Sequence, residues 1–83
     1  MKQYLILCRS VTHAQRCARL LEGALIRAAV TKAPRELTSS GCGYALLLHA
    51  KLDEALRLLR KKEMSFGRVF ERDGDGEYRE IKP

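Results

Sequence analysis

Apolar residues along this chain alternate between two spacings, and the order of these spacings constrains the fold more than any other feature. Short apolar runs typical of buried strands occupy four segments, at 3–8, 26–34, 44–50 and 65–81. Two other segments, 12–25 and 51–64, repeat apolar residues every three or four positions, which is typical of amphipathic helices. The sequence therefore predicts the order strand, helix, strand, strand, helix, strand and an α+β fold.

This order is the split βαββαβ pattern of ferredoxin-like domains, in which two helices cover one face of a four-stranded antiparallel sheet. Right-handed crossovers make the first two strands parallel and place the third strand between them. An Asp-Gly turn at 73–76 indicates that the last segment folds back as a C-terminal hairpin extension. Because the chain has only 83 residues, we expect one domain over 1–83, with a core at about 3–70 and a tail at 71–83.

The helical spacing also predicts which side chains enter the core. The first helix presents five apolar residues on one face: Ala14, Cys17, Ala18, Leu21 and Leu25. The second helix presents four apolar residues on one face: Leu52, Ala55, Leu56 and Leu59. Thr12, with Gln15 three residues later, predicts a capping box at the start of the first helix.

Basic residues outnumber acidic residues, and their distribution along the chain is uneven. The net charge is +6; residues 1–70 hold 13 Lys and Arg against 5 Asp and Glu, whereas residues 71–83 hold 3 against 5. The basic helix faces suit docking to an acidic partner protein. Nucleic-acid binding is the weaker interpretation, because the 5 aromatic residues lack the spacing of a base-stacking motif.

The cysteine content and the N-terminal sequence indicate the cellular compartment. Three cysteines, an odd number, do not suggest a disulfide framework. The opening MKQYLILCRS lacks the cleavage site of a signal peptide, and no apolar run is long enough to cross a bilayer. We therefore expect a cytoplasmic protein with free thiols and no membrane association.

One cysteine, Cys42, stands between Gly41 and Gly43 in the loop that joins the second and third strands. This setting suits a reactive thiol, because flexible glycines let backbone N–H groups turn toward the sulfur. Arg9 and Arg35 would add positive charge nearby, and positive charge lowers a thiol pKa from about 8.5 toward neutrality. The sequence therefore predicts a stabilised thiolate at this position.

The predicted topology places further polar groups at the same edge of the sheet as this loop. The first strand ends there at 8–10, and the first helix begins there with Thr12 and His13. Within the loop, Ser39 and Ser40 would donate hydrogen bonds to a thiolate. The candidate site is therefore this whole edge and not the cysteine alone.

The stretch PRELTSSGCGYAL, together with YLILCRSVTHAQRCARLLEGALIRAAV, resembles the selenium/sulfur-carrier-like domain family over about residues 3–70. Six residues carry the resemblance most specifically: Pro34, Arg35, Ser39, Ser40, Cys42 and Gly43. It implies a small accessory carrier, and not a stand-alone enzyme, that holds sulfur or selenium as a persulfide or perselenide on Cys42. Its partners would be the proteins that donate and accept the chalcogen, and we expect no cofactor.

Two residues near the loop keep alternative interpretations. Cys8 is either a packed strand residue or a resolving thiol for Cys42, and His13 either makes a local hydrogen bond or shuttles a proton to the sulfur. A zinc site built from these three residues is disfavoured because the chain has no closely spaced cysteine pair, so we expect no metal. The alternative to the carrier is a binding module that forms a homodimer through its open sheet face.

Overall fold

The computed structural model describes residues 2–37, 43–74 and 76–81, and within these ranges it contains two α-helices and five strands. In chain order the elements are β1 (Gln3–Cys8), α1 (Val11–Gly23), β2 (Ala29–Lys32), a short 3-10 helix (Arg35–Leu37), β3 (Tyr44–Leu48), α2 (Leu52–Lys61), β4 (Val69–Arg72) and β5 (Tyr78–Ile81). The predicted bounds of β1 are confirmed, whereas β2, β3 and α2 are shorter than predicted. Neither of the described helices is long and apolar enough to cross a membrane.

The strands form one antiparallel sheet with the order β2-β3-β1-β4-β5. β1 lies at its centre, with Cys8 opposite Tyr44 of β3 and Ile6 opposite Val69 of β4. Because β3 pairs antiparallel with both β1 and β2, those two strands run parallel to each other. The sheet has five strands where four were predicted, because the expected C-terminal hairpin adds a separate strand, Tyr78–Ile81, that pairs with β4.

The main core lies between the two helices and one face of the sheet. Alternation along the strands turns five side chains toward the helices: Ile6, Cys8, Leu46, Leu48 and Val69. All four α2 residues that were predicted to face the core are buried, so this prediction is confirmed. In α1, four of the five predicted residues are buried, but Leu25 is 84% exposed, so the prediction for this residue is wrong.

Leu25 is exposed because α1 ends before it in a Schellman motif. Its backbone adopts a left-handed φ of 63°, and the N–H of Ile26 donates to the Leu21 carbonyl at 2.9 Å. This turn directs Leu25 into solvent and brings Ile26 into the main core instead. α2 ends in the same motif, with Glu63 in the left-handed region at a φ of 56°.

The sheet face away from the helices carries a smaller cluster of its own. Leu37, from the 3-10 helix, packs with Leu5, Ala45 and Phe70, and all four side chains are buried. The guanidinium of Arg68 lies over the Phe70 ring, 5.1 Å from the ring centroid. This face is therefore partly covered by the chain itself.

Candidate functional site

The ends of several elements meet at one edge of the sheet. Here the edge is the row of strand ends and not an outer strand. β1 ends there at Cys8, which lies opposite Tyr44, the first residue of β3. β2 ends there at Lys32, also opposite Tyr44, and the Ala33 N–H donates to the Gly43 carbonyl at 3.1 Å. α1 begins directly after β1, at the same edge. This edge, formed by the ends of β1 and β2 and the starts of α1 and β3, is termed the Cys8 edge.

The loop that was predicted to hold the reactive thiol is described only at its two ends. Four predicted site residues lie outside the described residues: Ser39, Ser40, Gly41 and Cys42. At one end, Pro34 is half-buried and Arg35 is exposed in the 3-10 helix that follows β2. At the other end, Gly43 has a φ of 152°, in the range that favours glycine. Both ends lie at the Cys8 edge.

Ser10, and not Thr12, caps α1 at this edge. The Ser10 hydroxyl oxygen accepts a hydrogen bond from the His13 N–H at 3.2 Å, and the Ser10 carbonyl accepts from the Ala14 N–H at 3.0 Å. Ser10 has the extended backbone of a capping residue, whereas Thr12 is an exposed residue of the first helical turn. The predicted capping box is therefore wrong, and the helix begins one residue earlier than predicted.

Ser65, in the segment that follows α2, contacts residues at and just before the start of α1. Its carbonyl oxygen contacts Nε2 of the His13 ring, and its hydroxyl accepts a hydrogen bond from the exposed Arg9 guanidinium at 3.0 Å. Close by, the Gly67 N–H donates to the Leu7 carbonyl at 2.7 Å. A Cβ at Gly67 would lie 3.2 Å from that carbonyl oxygen, so the close approach suits glycine.

Ser65 was not among the predicted site residues, although the sequence contains the signal for it. β4 pairs antiparallel with β1, so the residues just before β4 must lie at the edge where β1 ends. The topological reasoning that placed His13 at this edge applies equally to 64–68. His13 thus contacts a residue distant in the chain, and its predicted role toward Cys42 stays a prediction.

Two free thiols, Cys8 and Cys17, lie in the core beneath this edge. The Cys8 thiol donates to the Ile6 carbonyl at 3.6 Å, and Cys17 Sγ lies 3.8 Å from Nε2 of His13. Burial, together with the neighbouring Cys17 thiol, raises the pKa of Cys8 to about 12, and burial also raises the pKa of Cys17. Both thiols therefore stay protonated at neutral pH and are poor nucleophiles.

The burial of Cys8, with 6% of its surface exposed, agrees with its interpretation as a packed strand residue. The alternative role as a resolving thiol involves Cys42, outside the described residues. Across 2–37, 43–74 and 76–81, no three His, Cys, Asp or Glu side chains converge to hold a metal ion. The zinc alternative that combined Cys8, His13 and Cys42 likewise includes a residue beyond these ranges.

Comparison with known proteins identifies the family. A family model described as Putative Se/S carrier protein-like matches residues 3–71, from β1 into β4. The matched range includes the Cys8 edge and the loop that contains Cys42. No curated protein and no solved structure matches the chain. The chain belongs to the Putative Se/S carrier protein-like family.

Proposed function

We propose that this protein is a carrier that accepts sulfur or selenium on Cys42, as a persulfide or perselenide, and passes it to a partner protein. Family membership supports a carrier role in general. The assignment to Cys42 depends on one observation, the burial of the other two cysteines in the main core. A carrier thiol needs a thiolate and space for one more atom, and the close-packed surroundings of Cys8 and Cys17 offer neither.

The proposed transfer is a thiol exchange that needs no external oxidant or reductant. The Cys42 thiolate attacks the outer sulfur of a persulfide on a donor protein, so a new S–S bond forms while the donor's S–S bond breaks. The electron pair of the broken bond leaves with the donor as its thiolate. In delivery, an acceptor thiolate attacks the outer atom on Cys42, and Cys42 leaves as a thiolate. A perselenide follows the same course with selenium as the outer atom.

The residues around Cys42 would favour its thiolate form. Six loop residues are proposed to shape the site: Pro34, Arg35, Ser39, Ser40, Gly41 and Gly43. The φ of 152° at Gly43 is a conformation that glycine adopts readily, so this loop position suits glycine. Arg9 and Arg35 are exposed at the Cys8 edge, where their positive charges would lower the pKa of a nearby thiol.

We further propose a ferredoxin-like core, made of β1 to β4 with both helices, to which β5 is added at one side. The position of β3 between β1 and β2, with β4 on the other side of β1, supports this classification. The proposed carrier acts as one domain in the cytoplasm, with donor and acceptor proteins as its partners. A homodimer through the sheet face away from the helices is disfavoured, because Leu37 and Arg68 cover Leu5 and Phe70 there.

Exposure to a persulfide donor, followed by intact mass measurement, tests the carrier proposal. Glutathione persulfide should add the mass of one sulfur atom to the wild-type protein and none to Cys42→Ser. The variants Cys8→Ala and Cys17→Ala should keep the adduct, because these buried thiols are not the proposed acceptors. Circular dichroism of each variant checks that the fold is retained.

Two outcomes contradict the proposal. If Cys42→Ser gains sulfur as readily as the wild-type protein, the acceptor is another residue. If the folded wild-type protein gains no sulfur, the chain is not a persulfide carrier.

A further inference from the structure

We propose that the Cys8 edge is the docking surface on which an acidic face of the donor or acceptor protein approaches Cys42, an inference that rests on the proposed function. Exposed basic side chains from several parts of the chain border this edge: Arg9, Lys32, Arg35, Arg60, Lys61 and Lys62. These six residues are termed the basic cluster.

The two helices bring basic residues to this edge from opposite directions. α1 starts at the edge, whereas α2 ends there, with Arg60 and Lys61 in its last turn. The segment after α2 then contacts the start of α1, where the Ser65 hydroxyl accepts a hydrogen bond from Arg9 at 3.0 Å. Arg60 lies over the Phe66 ring, with its guanidinium carbon 6.0 Å from the ring centroid. Arg9 and Arg60 therefore contact consecutive residues, Ser65 and Phe66, of the same segment.

The strands add basic residues on the other side of the same edge. Lys32 is exposed at the end of β2, opposite Tyr44. Arg35 is exposed in the 3-10 helix a few residues later. They lie on either side of Ala33, whose N–H donates to the carbonyl of Gly43, the residue next to Cys42 in the chain. The basic cluster thus contains residues on the helix side and on the strand side of the Cys8 edge.

Most carboxylates that could neutralise the basic cluster lie elsewhere. Within the described ranges none of the three ion pairs includes a member of the cluster: Lys2 with Glu71, Arg68 with Glu80, and Arg79 with Asp73. Asp53, Glu54 and Glu71 line a depression at the start of α2, toward the opposite edge. Only Glu36 and Glu63 adjoin the cluster in the described sequence, so its net charge stays positive. A positive surface of this kind attracts an acidic partner and speeds encounter.

The aromatic residues at this edge favour a protein partner over a single-stranded nucleic acid. Tyr44 and Phe66 are only partly exposed, and both pack against the main core. Base stacking needs free ring faces, and Arg60 already lies over Phe66. The described part of the edge therefore offers positive charge without a stacking surface.

Neutralising part of the cluster, against a matched change elsewhere, tests the docking surface. The edge variant carries Arg60→Gln, Lys61→Gln and Lys62→Gln. The control variant loses the same charge at exposed positions away from the edge, through Arg19→Gln, Arg27→Gln and Lys51→Gln. Fluorescently labelled decaglutamate, the acidic probe, is titrated at low ionic strength. We expect the edge variant to bind it about tenfold more weakly, with a smaller salt dependence, and the control variant within about twofold of wild type.

Equal weakening in both variants would overturn the proposal, because total charge and not the edge would then determine binding. Tighter binding of oligouridylate than of decaglutamate would overturn the choice of a protein partner and indicate nucleic acid. Loading by glutathione persulfide is measured in the same three proteins and should be equal, since a small donor needs no docking surface. Absence of loading in all three proteins reports failure of the proposed function, separately from the binding result.

Discussion

The two edges of the sheet differ in chemistry although the same strands form both. At the Cys8 edge, β1 ends, α1 begins, and the segment after α2 contacts both, through Gly67 with Leu7 and Ser65 with His13. At the opposite edge, where β1 begins, Lys2 and Glu71 form an ion pair at 2.9 Å and further carboxylates line the start of α2. Because the central strand β1 pairs with β3 and β4, neither of which follows it directly in the chain, residues that are distant in sequence meet at one edge. The buried thiols, the His13 imidazole and the basic cluster are therefore found at one edge, while Asp53, Glu54 and Glu71 lie at the other.

Alkaline pH should have the largest effect on stability, because it deprotonates the buried Cys8 thiol of the Cys8 edge. Burial raises the pKa of Cys8 to about 12 in the folded protein, against about 8.5 for an unperturbed thiol. Between these values the unfolded chain binds fewer protons than the folded chain, so the free energy of unfolding falls as the pH rises. Cys8 alone contributes a decline of up to about 1.4 kcal/mol per pH unit, which urea unfolding across this interval measures.

Cys8→Ala should remove part of that alkaline decline, because alanine has no proton to lose. Cys42→Ala is the matched control and should keep the decline, because it leaves Cys8 unchanged. An unchanged decline in Cys8→Ala would contradict the assignment of the raised pKa to Cys8.

The N-cap of α1 should make the next largest contribution to the free energy of unfolding at this edge. Ser10→Ala should lower the free energy of unfolding by about 1 kcal/mol, because the hydrogen bond to the His13 N–H is lost. Thr12→Ala is the matched control; this exposed residue should stay within about 0.5 kcal/mol of wild type. Thermal unfolding compares the three proteins. A larger loss in Thr12→Ala than in Ser10→Ala would place the cap at Thr12.

Substitutions at the helix ends should change the free energy of unfolding least. One of the two helix ends lies at each edge. Leu25→Gly, at the end of α1, and Glu63→Gly, at the end of α2, each relieve a left-handed backbone. We expect the free energy of unfolding to rise by a few tenths to about 1 kcal/mol, because the greater freedom of glycine in the unfolded chain offsets part of this relief. Leu25→Ala should bring no such gain. Destabilisation by both glycine substitutions would contradict the Schellman ends.

The sequence predicted those parts of the fold that local spacing and topology decide. The core-facing residues of α2 could be predicted because all four positions at helical spacing face the main core. The meeting of Cys8, His13 and Gly43 at one edge follows from right-handed crossovers, which determine which element ends coincide. Both features depend on a few strong geometric rules.

Features decided by tertiary contacts could not be predicted. The segment QYLILC is apolar on both faces, so spacing alone does not show that Cys8 faces the helices; pairing with β3 and β4 decides it. Leu25 continues the helical spacing, but the Schellman turn ends the helix and Ile26 fills the core. Ser10, and not Thr12, is the cap, because the Ser10 backbone is extended whereas Thr12 already lies within the helix. The loop thiol itself stays a prediction.

A chain in which Cys42 is the only thiol, Cys8→Ala/Cys17→Ala, provides the final test of the carrier proposal. The measurement is its intact mass after treatment with glutathione persulfide and again after reduction with dithiothreitol. The proposal expects the mass of one added sulfur atom, fully removed on reduction. An unchanged mass in the folded variant would contradict the assignment of the carrier role to Cys42.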